Sequence, residues 1–68
     1  MTLTARELEV LSLIAQGCTY SEAGRKLDVS PHTVQTHIKN IYNKLEVHSA
    51  RAAIWRAVQL KLLALLPG

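Results

Sequence analysis

Residues 30–45 read SPHTVQTHIKNIYNKL, and this stretch decides the fold. Val34, Ile38, Ile41 and Leu45 recur at i, i+4, i+7 and i+11, which makes one apolar stripe along a helix. Ser30 is a strong N-cap residue, and Pro31 suits the first helical position, where its missing N–H loses nothing. The spacing predicts a helix over 31–46. Its opposite face carries His32, Gln35, Thr36, Lys39 and Asn43: one charge, two amides, a hydroxyl and an imidazole, with no carboxylate. Such side chains hydrogen-bond base edges and phosphates. An ordinary solvated face has the same periodicity, so the flanking sequence must separate the two readings.

Upstream, Thr19 and Glu22 form a T-x-x-E capping box that opens a two-turn helix from Tyr20 to Leu27. Ala23 and Leu27 would face inward. Gly24 weakens this helix by roughly 1 kcal/mol against Ala, a cost offset if it lets a crossing helix come close. Asp28 and Val29 then make a tight turn before Ser30. Two helices joined by about three residues, the second with a polar outer face, form a helix-turn-helix. A further capping box, Thr4 and Glu7, opens the first helix, with Leu3 and Leu8 as a hydrophobic staple. Leu8, Val10, Leu11, Ile14 and Ala15 give its inner face, and Gly17 ends it.

Downstream, the fourth helix is expected from after Ser49 to about Ala64. Ala50, Ala53, Ile54 and Ala57 would pack on the core. Trp55, Leu62 and Leu66 fall on a different side, and so small a domain does not easily bury both stripes. The expected architecture is all-α: one compact four-helix domain over 1–68, with a central helix-turn-helix.

Sixty-eight residues make one thin core, worth on the order of 3–5 kcal/mol in stability. The chain is 49% hydrophobic and has no Phe, so that core is aliphatic. The net charge of +3 is unevenly spread. Residues 1–28 set Arg6, Arg25 and Lys26 against Glu7, Glu9, Glu22 and Asp28, a net of −1. Residues 29–68 set Lys39, Lys44, Arg51, Arg56 and Lys61 against Glu46 alone, a net of +4. The basic excess sits with the third helix and favours a polyanionic partner.

Other chemistry finds little support. The single Cys18 has no internal disulfide partner, which fits a reducing cytosol. The N-terminus has neither a basic n-region nor an apolar h-region, so no signal peptide is expected. The apolar run at Leu62–Leu66 is too short to span a bilayer. Cys18, His32, His37 and His48 do not have metal-ligand spacing: His32 and His37 lie five apart, out of line on a helix, and no second ligand pair exists. No nucleophile–base–orienter set is visible, and Glu7 and Glu22 already have capping roles. The chain is read as a non-enzyme without metal or cofactor.

At this point the residues resemble the LuxR/FixJ-type (GerE-like) DNA-binding domain of bacterial transcription regulators. The matching residues are Leu3-Thr4, Arg6-Glu7, Glu9-Val10-Leu11, Ala15, Gly17, Glu22, Leu27, Val29-Ser30, Thr33-Val34, His37, Ile41, Lys44-Leu45 and Val47. The spacing is free of gaps through Val47. Six positions depart from the pattern. Ala23-Gly24 replaces Ile-Ala, Asp28 replaces Gly in the turn, and Gln35 stands where Lys is common. At the start of helix four, Ala50 and Ala52 flank Arg51 where Arg and Glu are usual.

The resemblance implies that Gln35, Thr36 and Lys39 enter the major groove. Gln35 suits adenine N6/N7, Lys39 suits guanine O6/N7, and the Thr36 methyl suits a thymine methyl. His32 and Asn43, on the same face, are assigned to bases or backbone. Thr33, His37, Asn40 and Lys44 form a flank assigned to phosphates, together with Ser30 and the first turn of helix two at Thr19 and Tyr20. For His37, packing at the edge of the core is an equal alternative.

The resemblance also makes helix four a dimerisation element, and Trp55, Leu62 and Arg51 are expected to line a weak homodimer contact. The expected role is that of a response-regulator output domain on double-stranded DNA in the cytoplasm, on the nucleoid. RNA polymerase is a further candidate partner, and no membrane role is expected. A promoter-binding module like region four of sigma factors, and a helical protein-interaction module, are the alternatives. Affinity for duplex DNA and for core polymerase separates the three.

Overall fold

The computed structural model describes residues 3–63. Four helices follow one another: α1 (Ala5–Ala15), α2 (Tyr20–Leu27), α3 (Pro31–Leu45) and α4 (Ala50–Gln59). Both capping boxes form. Thr4 N–H donates to Glu7 Oε1 at 2.9 Å while Glu7 N–H donates to Thr4 Oγ1 at 3.1 Å. Thr19 and Glu22 repeat the exchange at 2.8 and 3.1 Å. Ser30 and Ser49 each cap alone, accepting from Thr33 N–H and Ala52 N–H. Neither α3 nor α4 has a glutamate three residues after its cap to complete a box.

All four helices end in the same way. The chain turns left-handed at Gly17, Asp28, Glu46 and Lys61. The next residue's N–H reaches back five positions: Cys18 to Leu13 O, Val29 to Gly24 O, Val47 to Tyr42 O and Leu62 to Ala57 O, at 2.8–3.0 Å. This is the Schellman closure. Three of the four left-handed residues are not glycine, and each costs backbone energy that Gly would avoid.

The fourth closure corrects the expected length of α4. The helix stops at Gln59, not near Ala64, because the turn at Lys61 folds Leu62 and Leu63 back onto the domain's own core. Packing two half-buried leucines on the core replaces one more helical turn. Ala64 and Leu66, also expected in this region, lie outside the described residues.

The core is aliphatic, as expected: Leu3, Val10 and Leu11, Ala23, the full stripe Val34, Ile38, Ile41 and Leu45, then Ala53 and Ala57. Leu8, Ile14, Ala15 and Leu27 are only half-buried. α3 packs against each of the other three helices, so the element with the polar outer face is also the centre of the fold.

Gly24 serves a different approach from the one expected. A Cβ there would lie 2.6 Å from the carbonyl oxygen of Val29 and 3.4 Å from the nitrogen of Pro31. The close neighbour is the backbone of the turn, not the body of a crossing helix. The missing side chain lets the turn fold down on α2, and this fixes where α3 begins.

Candidate nucleic-acid interface

The buried stripe of α3 sets what its other side shows to solvent. His32, Gln35, Thr36, Lys39, Asn40 and Asn43 are all exposed, while Thr33 and His37 on the flank are half-buried. No carboxylate lies on this face until Glu46, beyond the end of the helix. Lys39 and Asn43 border an open groove whose other walls are Tyr42, Glu46, Val47 and His48. Burial pushes the Tyr42 phenol up, and the nearby Tyr20 adds to the shift, so Tyr42 is a neutral O–H at physiological pH. Sequence reasoning did not place Tyr42, Glu46 or His48 beside the polar face of α3. Tyr42 sits between the two stripes, and the other two depend on the path of the turn.

Several polar groups on this side are already engaged. Thr36 Oγ1 donates to the His32 carbonyl at 3.1 Å, which leaves its methyl as the part free to meet a thymine methyl. Ser30 Oγ caps α3 and also lies 3.0 Å from Thr33 Oγ1. The box at Thr19 occupies the N–H groups of Thr19 and Glu22. It leaves those of Tyr20 and Ser21 at the first turn, the geometry that favours a phosphate oxygen.

Lys44 departs from its expected place. Its Nζ donates to Glu7 Oε1 at 2.8 Å, with the two side chains 25% and 5% exposed. The ammonium assigned to a phosphate is held inward against α1. No local pattern announces this pair, because its partners stand 37 residues apart on two different helices.

Burial alone would raise the Glu7 carboxyl. The Lys44 ammonium and the N–H of Thr4 outweigh it and hold the group below the ordinary value of 4.5. Glu22 is also lowered, chiefly by the Thr19 N–H. A carboxyl depressed on folding adds stability above its unfolded value, and this is lost as pH falls through the folded one. The domain should therefore lose stability as pH drops below 4.5. Glu7→Gln should flatten part of that slope in urea midpoints measured against pH. Parallel curves for the two proteins would remove Glu7 from the account.

On α4, Trp55 is 60% exposed, and it shares an open surface with Ser49, Arg51 and Ala52. Leu62, expected beside Trp55, is instead half-buried against the core. Among the described residues no group of three His, Cys, Asp or Glu side chains is placed to hold a metal ion. No described helix is long and apolar enough to cross a membrane.

Known proteins share this architecture. The family model described as "Bacterial regulatory proteins, luxR family" matches residues 1–57. The transcriptional activator protein CarR of Pectobacterium carotovorum subsp. carotovorum is 47% identical over 60 residues, 88% of this chain and 25% of CarR. The transcriptional regulatory protein LiaR of Bacillus subtilis (strain 168) is 49% identical over 55 residues, 79% of this chain and 26% of LiaR. The crystal structure of the response regulator ChrA, from a heme-sensing two-component system, superposes with a TM-score of 0.87 at 41% identity. That match covers 93% of this chain and 31% of ChrA. The chain thus spans about a quarter of CarR and LiaR, about a third of ChrA, and 6% of the MalT regulators that it also matches. The chain belongs to the luxR family of bacterial regulatory proteins, whose helix-turn-helix domain binds DNA in transcription regulation.

Proposed function

We propose that α3 reads double-stranded DNA from the major groove, with Gln35, Thr36 and Lys39 on base edges. The observation that carries this reading is the exposed, carboxylate-free face of α3 set opposite a stripe that is wholly buried. Gln35 pairs with adenine, Lys39 with guanine, and Thr36 through its methyl with thymine. His32 and Asn43 extend the same face. Thr33, His37, Asn40 and Ser30 line the flank toward phosphate, joined by the N–H groups of the Tyr20–Ser21 turn beside Thr19. Lys44, paired with Glu7, is withdrawn from that set.

The same reading makes the domain an output module that works in the cytoplasm on the nucleoid. RNA polymerase is a further partner on DNA in this reading. Trp55 and Arg51 on α4 form a small homodimer contact, of the weak class. Leu62 drops out of it, since the domain's own core takes that side chain. A dimer of this kind reads two half-sites about one helical turn apart.

Lys39→Ala should cost roughly 1–3 kcal/mol on a preferred duplex and relax base choice at one position. Binding isotherms on the preferred duplex and on single-base variants of it measure both effects. Unchanged affinity and unchanged base choice would place the reading face elsewhere.

A further inference from the structure

We infer that Glu7 is a positioning residue for the recognition helix, and that its bond to Lys44 sets the register of α3 on α1 and with it the choice of bases. One carboxylate oxygen, Oε1, accepts two donors from opposite parts of the fold: Thr4 N–H at the start of α1, at 2.9 Å, and Lys44 Nζ near the end of α3, at 2.8 Å. Among the described residues every other side-chain hydrogen bond joins positions three or four apart. Glu7–Lys44 is also the one salt bridge among them. The other packing between the described helices is apolar and chiefly aliphatic.

Aliphatic cores of this kind tolerate alternative packings and lose uniqueness before they lose stability. An ion pair withdrawn from water, as this one is at its carboxylate end, has the opposite character. It adds little net stability against an apolar substitute, and its best-attested use is to fix register. The flexible lysine stem absorbs small shifts, but turning α3 by one residue, about 100° round its axis, carries Lys44 away from Glu7, and base-reading side chains need placement within about 0.5 Å. Lys44 lies five residues beyond Lys39 on the same rigid helix, so a constraint at one position is passed to the other. The carboxylate touches no DNA in this arrangement and acts through α3.

The inference rests on the reading of α3 proposed above, and its test keeps the two apart. Glu7→Gln retains an acceptor for both donors. The double variant Glu7→Gln/Lys44→Met removes the link, keeps the cap and leaves net charge unchanged. Each protein is titrated with a duplex selected from a random pool by the unaltered domain, and with a shuffled duplex of equal length. Circular dichroism fixes a temperature at which all are folded. Partial unfolding weakens both duplexes by the same factor and leaves their ratio untouched.

The expected result is a specific-to-shuffled ratio reduced about tenfold or more in the double variant, the discrimination of one good base contact. In Glu7→Gln the loss is smaller. An unchanged ratio overturns the inference, including the case in which both duplexes weaken equally and Lys44 proves to be a phosphate ligand. Should the unaltered domain bind the two duplexes alike, the proposed reading of bases fails. The register is then decided by the amide spectrum: single sharp α3 peaks in the unaltered domain and doubled or broadened ones in the double variant. Single sharp peaks in both would overturn it.

Discussion

Ile41→Ala should remove most of the domain's stability and leave a measurable fraction unfolded at room temperature. Ile41 is completely buried in the middle of α3, the helix that packs on all three others. Removing its three outer carbons forfeits transfer energy and leaves a cavity, together about 2–5 kcal/mol. A domain of this size holds only about 3–5 kcal/mol in total. The surroundings have little means of collapse, since the neighbours Val34, Ile38 and Leu45 are fixed on the same helix. DNA affinity should fall with the folded fraction, although Ile41 faces away from the reading side. Ile41→Val, at roughly 0.5–1.5 kcal/mol, should stay folded and bind. Denaturant titrations followed by circular dichroism check both. A folded Ile41→Ala domain with an unchanged midpoint would mean that the core is centred elsewhere.

Gly24→Val is expected to be comparably severe, for a backbone reason. A Cβ at this position meets the Val29 carbonyl oxygen at 2.6 Å, and Val29 is tied to α2 by its own N–H, which donates to Gly24 O in the Schellman turn. Nothing flexible stands there to move aside, so the turn itself must lift. Gly24→Ala gains about 1 kcal/mol of helix propensity but should still be a net loss, since overpacking of this kind costs typically 1–3 kcal/mol. Valine adds two γ-methyl groups to the same clash. Lifting the turn also tilts the start of α3, so DNA affinity should fall further than the lost stability accounts for. The family pattern usually has Ala here and Gly in place of Asp28. The double variant Gly24→Ala/Asp28→Gly, which restores that pairing and frees the turn from its left-handed aspartate, should recover part of the loss. Thermal melts of the three variants are the measurement, and equal melting temperatures would show that the turn is loose.

How far the sequence carried the reading follows from the range of each interaction. Caps and periodicity are local, and they were legible. Thr4, Thr19, Ser30 and Ser49 start the helices where their side chains announce it, and the stripe from Val34 to Leu45 is buried throughout. The tight turn at Asp28 was readable too, because its position is fixed between a helix end and a cap. Misreadings came where distant parts of the chain meet. The end of α4 depends on whether Leu62 and Leu63 find a core to fold onto, which no local pattern reveals. Lys44 sits on the flank of α3 with nothing nearby in sequence to claim it, while Glu7 looked fully used by its own capping box. Gly24 was recognised as a close-approach position, but the approaching group was mistaken. At the interface, the exposure of Gln35, Thr36 and Lys39 followed from the stripe behind them. The groove walls at Tyr42, Glu46 and His48 did not, since they depend on the turn into α4.

The central claim is that the outward face of α3 reads duplex DNA, and selection of preferred duplexes from a random pool tests it most directly. The domain should enrich a short motif, repeated about one helical turn apart where two copies bind together. Binding to it should weaken steeply with salt as counterions are released. Lys39→Ala should blur the motif at a single position. A pool that stays random, or a motif left unaltered by Lys39→Ala and by substitutions at Gln35 and Thr36, would contradict the account.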